Sequence, residues 1–124
     1  MYTNILFIGI GGFLGTVARY LLTDLLAKTY PSAFPYGTFA VNILGCFAIG
    51  LVFGFSERFD WMMHELRLFL AVGICGGFTT FSAFAYENIV LLQSKDYLTF
   101  AAYAILSFAV CLAATFAGLL LARG

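Results

Sequence analysis

The sequence carries very little charge. Only 10% of its 124 residues are Asp, Glu, Lys or Arg, against roughly 25% in an ordinary soluble domain, and six basic residues balance six acidic ones. Without a basic face, the chain lacks the electrostatic footprint of a nucleic-acid-binding protein. With 63% hydrophobic residues and a mean hydropathy of +1.01, the chain is too apolar to be disordered. A soluble domain of this size could not bury so much apolar surface away from water. A soluble globular enzyme is excluded, and a small integral membrane protein remains.

Cysteine and histidine are also scarce. Cys46, Cys75 and Cys111 stand apart in apolar segments, without a CxxC pair or the Cys/His spacing of a metal site. We interpret them as small packing residues. The single histidine, His64, lies in a charged segment and is expected to be a solvated loop residue. A membrane redox enzyme or assembly factor, which would need paired cysteines, is therefore disfavoured.

The charged residues leave long uncharged stretches at 1–18, 29–56, 68–86 and 97–122. A helix that crosses a membrane needs about 20 mostly apolar residues, and lipid-facing backbone must satisfy its own hydrogen bonds. We therefore predict an all-α membrane protein, a single domain over 1–124, with spans at roughly 4–27, 36–56, 67–93 and 97–122. The predicted connections are 28–35, 57–66 and 94–96. No Lys or Arg precedes the first apolar run, so we expect a permanent span and not a cleavable signal peptide.

Basic residues give no orientation signal. With four spans, one side of the membrane holds Arg58, Arg67 and Arg123, and the other holds Lys28, Lys95 and, if it extends to that interface, Arg19. The positive-inside rule needs an asymmetry, and this tally is balanced. Either other signals orient the chain, or it inserts in both directions and two copies pack antiparallel. Four short helices are too few to enclose a water-filled path, so an oligomer is expected in both cases, and twofold dimers are the commonest kind.

Two spans carry isolated polar residues, which are expensive in a membrane and tend to mark pathways. The segment GGFLGTVARY at 11–20 offers a small-residue face for packing, and its Arg19 either extends to the interface or forms a cationic vestibule for anions. The segment GTFAVNILGCFAIG at 37–50 places Asn42 among apolar residues. This amide needs either an interhelical hydrogen-bond partner or a ligand.

The third span is predicted to be a broken helix. In GICGGFTTFSAF at 73–84, paired glycines and threonines interrupt an apolar segment that is longer than one crossing requires. Each interior glycine costs about 1 kcal/mol relative to alanine. We place the break near 76–79, with Thr79 or Thr80 capping the second half. At such a break the carbonyl end favours a cation and the amide end an anion.

Further candidates follow the break. Phe81 and Phe84 share a helix face, and their positive ring edges could contact an anion, although they could equally be lipid-facing or core aromatics. The fourth span carries a polar stripe at i, i+4, i+8 and i+12, namely Tyr103, Ser107, Cys111 and Thr115. This stripe is either an anion track or a row of side chains bonded to their own helix. Glu87 either reaches the interface near Lys95 or takes part in transport.

The chain resembles the CrcB/Fluc fluoride channels over essentially its whole length. The resemblance rests on the four spans and on GGFLGTVARY, GTFAVNILGCFAIG and GICGGFTTFSAF in this order. It implies a passive fluoride-selective channel that excludes chloride, with no enzymatic activity, in the inner membrane. It also implies an antiparallel dual-topology homodimer with two pores, and a structural sodium ion on the twofold axis.

The resemblance further implies roles for particular residues. The backbone carbonyls of Gly76 and Thr79 from both copies would hold the sodium ion. The fluoride pore would be lined by Arg19, Asn42, Thr80, Phe81, Ser82, Phe84, Tyr103, Ser107, Cys111 and Thr115. Two departures concern this polar track: Ala83 stands where many relatives have threonine, and Cys111 where serine is common. A thiol is a weaker donor than a hydroxyl.

A second function remains open at this point. The small multidrug-resistance proteins are also short, four-span and antiparallel, and they export substrates by proton coupling. They depend on an acidic residue deep in the first span. Here the first span has no acid before Asp24, near its end, which argues against an exporter, although Glu87 offers an acid elsewhere.

Overall fold

A computed structural model describes residues 2–59 and 64–124, and every regular element in these ranges is helical. The elements are, in chain order, α1 (Tyr2–Thr29), α2 (Tyr36–Arg58), α3 (His64–Arg67), a π-helix π1 (Leu68–Cys75), α4 (Gly76–Phe78), α5 (Phe81–Gln93) and α6 (Tyr97–Arg123).

Four of the resulting segments are long and apolar enough to cross a membrane, which confirms the predicted four-span pattern. They are Tyr2–Thr29, Tyr36–Arg58, His64–Gln93 and Tyr97–Arg123. Each is one to three residues longer than expected at one or both ends, because polar residues such as His64 continue the helix beyond the apolar stretch. His64 thus begins α3 and does not lie in a loop. The predicted connection 57–66 includes residues 60–63, which lie outside the described residues.

The third span is built from several pieces. Residues 68–75 form a π-helix, in which the backbone N–H of Gly76 donates to the carbonyl of Ala71, five residues back. After α4, Thr79 and Thr80 have extended backbone, with ψ values of 156° and 123°. Helix α5 then begins at Phe81, and the Thr80 side chain caps it by accepting from the N–H of Ala83 at 3.2 Å.

A three-residue turn, 94–96, joins the third and fourth spans. Lys95 has a positive φ of 60°, and the N–H groups of Lys95 and Asp96 donate to the carbonyls of Leu92 and Leu91. These two bonds form a Schellman motif that satisfies the last carbonyls of α5. The Asp96 carboxylate then accepts from the N–H of Thr99 and caps α6. Because one turn closes both helix ends, α5 and α6 are held side by side.

Glycines bring the spans into backbone contact. A Cβ at Gly50 of α2 would collide with the carbonyl oxygen of Thr115, and a Cβ at Gly118 of α6 with that of Phe47. On the other side of the molecule, a Cβ at Gly15 of α1 would collide with the carbonyl of Ile74 in π1. Without a strong hydrophobic driving force between helices in lipid, such close approach provides the packing. The glycine pattern therefore sets which helices are neighbours: α2 with α6, and α1 with π1 and α4.

Candidate functional site

A cavity of about 460 Å³ lies between α2, α5, α6 and the extended residues that precede α5. Its lining is mostly apolar, with a few polar side chains. The lining residues are Asn42, Cys46, Thr79, Thr80, Phe81, Phe84, Ala104, Ser107, Phe108 and Cys111. Seven predicted site residues are thus brought together around one space, and none of the described residues that line it carries a formal charge.

Asn42, on α2, forms hydrogen bonds with the backbone of the extended residue Thr80. Its side-chain Oδ1 accepts from the backbone N–H of Thr80 at 2.8 Å, and its Nδ2 donates to the carbonyl of Thr80 at 3.2 Å. One side-chain amide therefore satisfies both backbone groups of a residue that lies outside any helix. The hydrogen-bond partner expected for Asn42 is thus the backbone of Thr80, and the residue also lines the cavity.

Around the extended residues Thr79 and Thr80, the backbone N–H groups donate to partners different from those of a continuous helix. In an α-helix, the N–H of Thr80 would donate to the carbonyl of Gly76, and the N–H of Ala83 to that of Thr79. Here these N–H groups donate to Asn42 Oδ1 and Thr80 Oγ1 instead. The carbonyls of Gly76 and Thr79 thereby lose their regular helical donors. They are the two carbonyls that the resemblance assigns to a cation, and carbonyl oxygen is a suitable ligand for a hard ion.

Arg19 lies beside these carbonyls and does not line the cavity. Its Nε donates to the carbonyl of Gly77 at 3.0 Å, replacing the N–H of Phe81 that a continuous helix would supply. The side chain is half-buried between α1 and α4 and does not extend to the end of its span. Its positive charge is therefore placed at the interrupted part of the third span.

The two phenylalanines differ in environment. Phe81 and Phe84 have ring centroids 5.6 Å apart, but 77% of Phe81 is exposed in a single copy, whereas Phe84 packs on the fully buried Tyr103 at 4.9 Å. Both rings line the cavity. Ser82, between them, faces away from it, and its hydroxyl lies 3.3 Å from that of Thr80.

The side chains of the polar stripe on α6 have different hydrogen-bond partners. The Tyr103 hydroxyl donates to Glu87, and the Thr115 hydroxyl donates to the carbonyl of Cys111 in its own helix at 3.1 Å. Ser107 is 93% buried and lines the cavity, and its hydroxyl has no hydrogen-bond partner among the described residues. Ser107 is therefore the member of the stripe with a hydroxyl that is both buried and available to a ligand.

Glu87 turns inward instead of reaching the interface near Lys95. Its two carboxylate oxygens accept from the hydroxyls of Thr38 and Tyr103, each at 2.9 Å. Glu87 and Thr38 also line a second cavity of about 420 Å³ beneath the connection 30–35. The Tyr103 side chain separates the two cavities, since its ring contacts Phe84 at one and its hydroxyl bonds Glu87 at the other.

Several contributors were missed by sequence reasoning. Thr38 and Cys46 lie in the same apolar segment as Asn42 but carry no spacing signal. Phe34 comes from the connection between α1 and α2, and its ring packs on Tyr103 at 5.3 Å. Buried Asn88 donates to the carbonyl of Phe84 and leaves its Oδ1 without a partner among the described residues. For Asn88, the signal was available: it is an amide within a span, as Asn42 is.

We expect Asn42→Leu to destabilise the fold. A leucine has nearly the same size but leaves the N–H and carbonyl of Thr80 without partners, at about 1–3 kcal/mol for each unsatisfied buried group. The measurement is the melting temperature of the purified protein in detergent. Thr23→Val is the matched control, because the Thr23 hydroxyl bonds carbonyls of its own helix. Equal melting temperatures for the two variants would show that Asn42 does not support the extended residues.

Comparisons with known proteins give a consistent result. Residues 6–119 match the family model described as CrcB-like protein, Camphor Resistance (CrcB). The chain is 48% identical over 120 residues to a fluoride-specific ion channel FluC of Flavobacterium psychrophilum, covering 97% of both chains. It is 45% identical to proteins of the same name from Gloeothece citriformis, with 97% of each chain covered, and Geobacter sulfurreducens, with 98% of each covered. With a model match over most of its length and relatives of this similarity, the chain belongs to the CrcB family.

Proposed function

We propose that this protein is a passive, fluoride-selective channel that exports fluoride across the cell membrane. The observation that carries the proposal is the buried hydroxyl of Ser107, which has no partner among the described residues and faces a cavity lined by further uncharged donors. The relatives named as fluoride-specific ion channels supply the identity of the ion. A channel binds and releases its ion without chemical turnover, so no enzymatic activity is implied.

Fluoride is small and strongly hydrated, so a pore must replace its water with several close contacts. Ser107, Thr80, the Cys111 thiol and the ring edges of Phe81 and Phe84 all border the cavity. The absence of Lys or Arg from this lining has a kinetic advantage, because conduction needs binding that is weak enough for the ion to leave. Arg19, at the neighbouring Gly77 carbonyl, raises the local potential for anions without lining the cavity. Tyr103, Thr115 and Ser82 extend the proposed path beyond this cavity.

We infer that the third span is a transmembrane helix interrupted at membrane depth, and that the interruption holds a structural sodium ion. The support is the extended backbone of Thr79 and Thr80 and the redirected donors of the Gly76 and Thr79 carbonyls. Irregular backbone is tolerated in a membrane where it lines a cavity or binds an ion. Sodium would supply a fixed positive charge, with the carbonyls of Gly76 and Thr79 from each of two copies as ligands.

We further propose that two copies pair antiparallel in the inner membrane, giving a dual-topology homodimer with two pores. The basic residues at the two ends are nearly balanced. Arg58, Arg67 and Arg123 lie at one end, Lys28 and Lys95 lie at the other, and Arg19 is engaged inside the bundle. The positive-inside rule then favours neither orientation. A sodium site on a twofold axis also needs the second copy to complete its ligands.

Fluoride release from liposomes tests the function directly. Vesicles containing the protein are loaded with potassium fluoride, without a pH gradient, and efflux is followed with a fluoride electrode after a potassium ionophore is added. We expect the vesicles to empty, since a channel needs only the electrochemical gradient. Protein-free vesicles and chloride-loaded vesicles are the controls. Fluoride release no faster than from protein-free vesicles would disprove the proposal.

With the external pH recorded as well, the same assay separates a channel from a proton-coupled exporter, because only the exporter must move protons together with fluoride. The first span gives no support to the exporter. Asp24, the single acid of α1, forms an ion pair with Lys28 at 3.0 Å, and its side chain is 43% exposed. An acid in this position does not form the deep carboxylate site on which such exporters depend.

The ring-edge contacts lead to a second functional prediction. We expect Phe81→Ile and Phe84→Ile to assemble normally but to slow fluoride efflux at least tenfold, because isoleucine fills similar space without a positive edge. Phe13→Ile is the matched control, since Phe13 is 70% exposed on α1 and lies outside the cavity. Gel filtration in detergent checks assembly. Wild-type efflux in both cavity variants would remove the aromatic rings from the mechanism.

Antiparallel pairing predicts a labelling pattern. Ser94→Cys and Gly124→Cys place a thiol at opposite ends of the bundle, in the turn after α5 and after the end of α6. If the chain inserts both ways, a membrane-impermeant maleimide applied to spheroplasts should label about half of the copies of each variant. The unmodified chain measures background from the cysteines within spans. Full labelling of one variant and none of the other would establish a single orientation.

A further inference from the structure

Two of the three cysteines meet in the cavity. Cys46 lies on α2 and Cys111 on α6, both are half-buried, and both line the cavity. Each precedes by one turn a residue at which the two helices touch, namely Gly50 and Thr115. Cys75, on π1, is 5% exposed and does not line the cavity. Each cysteine stands alone in the sequence, and the fold brings two of them to the same cavity.

The glycine packing of α2 and α6 places the two cysteines at the same level of the bundle. A Cβ at Gly118 would collide with the carbonyl of Phe47, the residue after Cys46, and a Cβ at Gly50 with the carbonyl of Thr115, one turn after Cys111. The backbones of α2 and α6 therefore touch next to both cysteines. Side chains one turn from such a contact lie close to one another, and the two cysteines are therefore neighbours across the α2–α6 interface.

The chemistry of the lining selects the class of ligand. Two sulfur atoms that line one cavity from touching helices can both coordinate a soft cation such as Ag⁺ or Cu⁺. These cations accept two sulfur ligands in a linear arrangement, and soft ligands select soft metals. The cavity lining contains no carboxylate and no imidazole, so a hard divalent cation finds no comparable ligand set. No group of three or more His, Cys, Asp or Glu residues suited to a metal occurs among residues 2–59 and 64–124, which excludes a tetrahedral zinc site there.

We propose that Cys46 and Cys111 form a two-sulfur site for a soft monovalent cation, and that its occupation closes the cavity to anions. One Ag⁺ binds both sulfurs and displaces one thiol proton, which leaves to water. The product, one thiolate and one thiol on the metal, carries no net charge and is compatible with an apolar cavity. The blocking effect rests on the proposed fluoride path, because Ser107 and the two phenylalanines border the same space. The binding itself does not depend on that path.

Silver binding is measured first, without transport. Purified protein in detergent is dialysed against micromolar silver nitrate in chloride-free, thiol-free buffer, and the bound metal is determined by elemental analysis. We expect one Ag⁺ per chain in the unmodified protein and in Cys75→Ser. In Cys46→Ser and Cys111→Ser, we expect occupancy to fall at least tenfold at the same free concentration. Equal occupancy in all four proteins would overturn the site.

Two controls accompany the binding measurement. A gel-filtration profile matching that of Cys75→Ser shows that each variant is folded. Blocking the thiols of the unmodified protein with methyl methanethiosulfonate should remove the bound metal without any substitution.

Fluoride efflux with and without Ag⁺ is then compared within each protein, in nitrate salts because silver chloride precipitates. We expect Ag⁺ to slow efflux at least tenfold in the unmodified protein and in Cys75→Ser, and a thiol reagent such as dithiothreitol to restore it. In Cys46→Ser and Cys111→Ser, the ratio of the efflux rate with Ag⁺ to the rate without it should be about one. Silver bound by the thiol pair without any change in efflux would overturn the closure of the cavity. Absence of efflux from every protein before silver is added would contradict the proposed channel function while leaving the binding result intact.

Discussion

The pairing of the Asn42 side chain with the backbone of Thr80 is the interaction on which the rest of this structure depends. Water is absent from the interior of a bilayer, so a residue outside a helix must have its N–H and carbonyl satisfied by protein. One amide does both, at 2.8 and 3.2 Å. Because Thr80 is held in this way, α5 can begin afresh at Phe81, and its first turn borders a cavity instead of continuing the preceding helix.

The charge pattern predicted the four spans well, because the cost of burying a charge in lipid is large and depends mainly on sequence position. The paired glycines and threonines of 73–84 were also informative, and Thr79 and Thr80 are the residues with extended backbone. The local energies that disfavour a helix act on these residues whatever surrounds them. Features set by local helix propensity and by burial in lipid could therefore be predicted from the sequence.

Features that depend on distances between helices could not be predicted from the sequence. The bond from Arg19 to the Gly77 carbonyl and the bonds from Thr38 and Tyr103 to Glu87 join residues 16 to 58 positions apart. Cys46 and Cys111 lie on different helices and line one cavity. The spacing of Tyr103, Ser107, Cys111 and Thr115 identified a common helix face correctly. It could not assign their partners, because Tyr103 donates to Glu87 and Thr115 to its own helix, whereas Ser107 has no partner among the described residues. The π-helix at Leu68–Cys75 had no signal in the apolar run LFLAVGIC.

The cavity contains a polar group that the described residues leave without a hydrogen-bond partner. Exposed apolar side chains are compatible with lipid, so the exposure of Phe81 is not by itself unfavourable. A buried hydroxyl such as that of Ser107, and carbonyls that have lost their helical donors, are different, because hydrocarbon offers them no hydrogen bond and each costs several kcal/mol when unsatisfied. These groups need water, an ion or another protein surface. Under the proposed antiparallel pairing, a second copy would cover the cavity and add its own Gly76 and Thr79 carbonyls to the proposed sodium site.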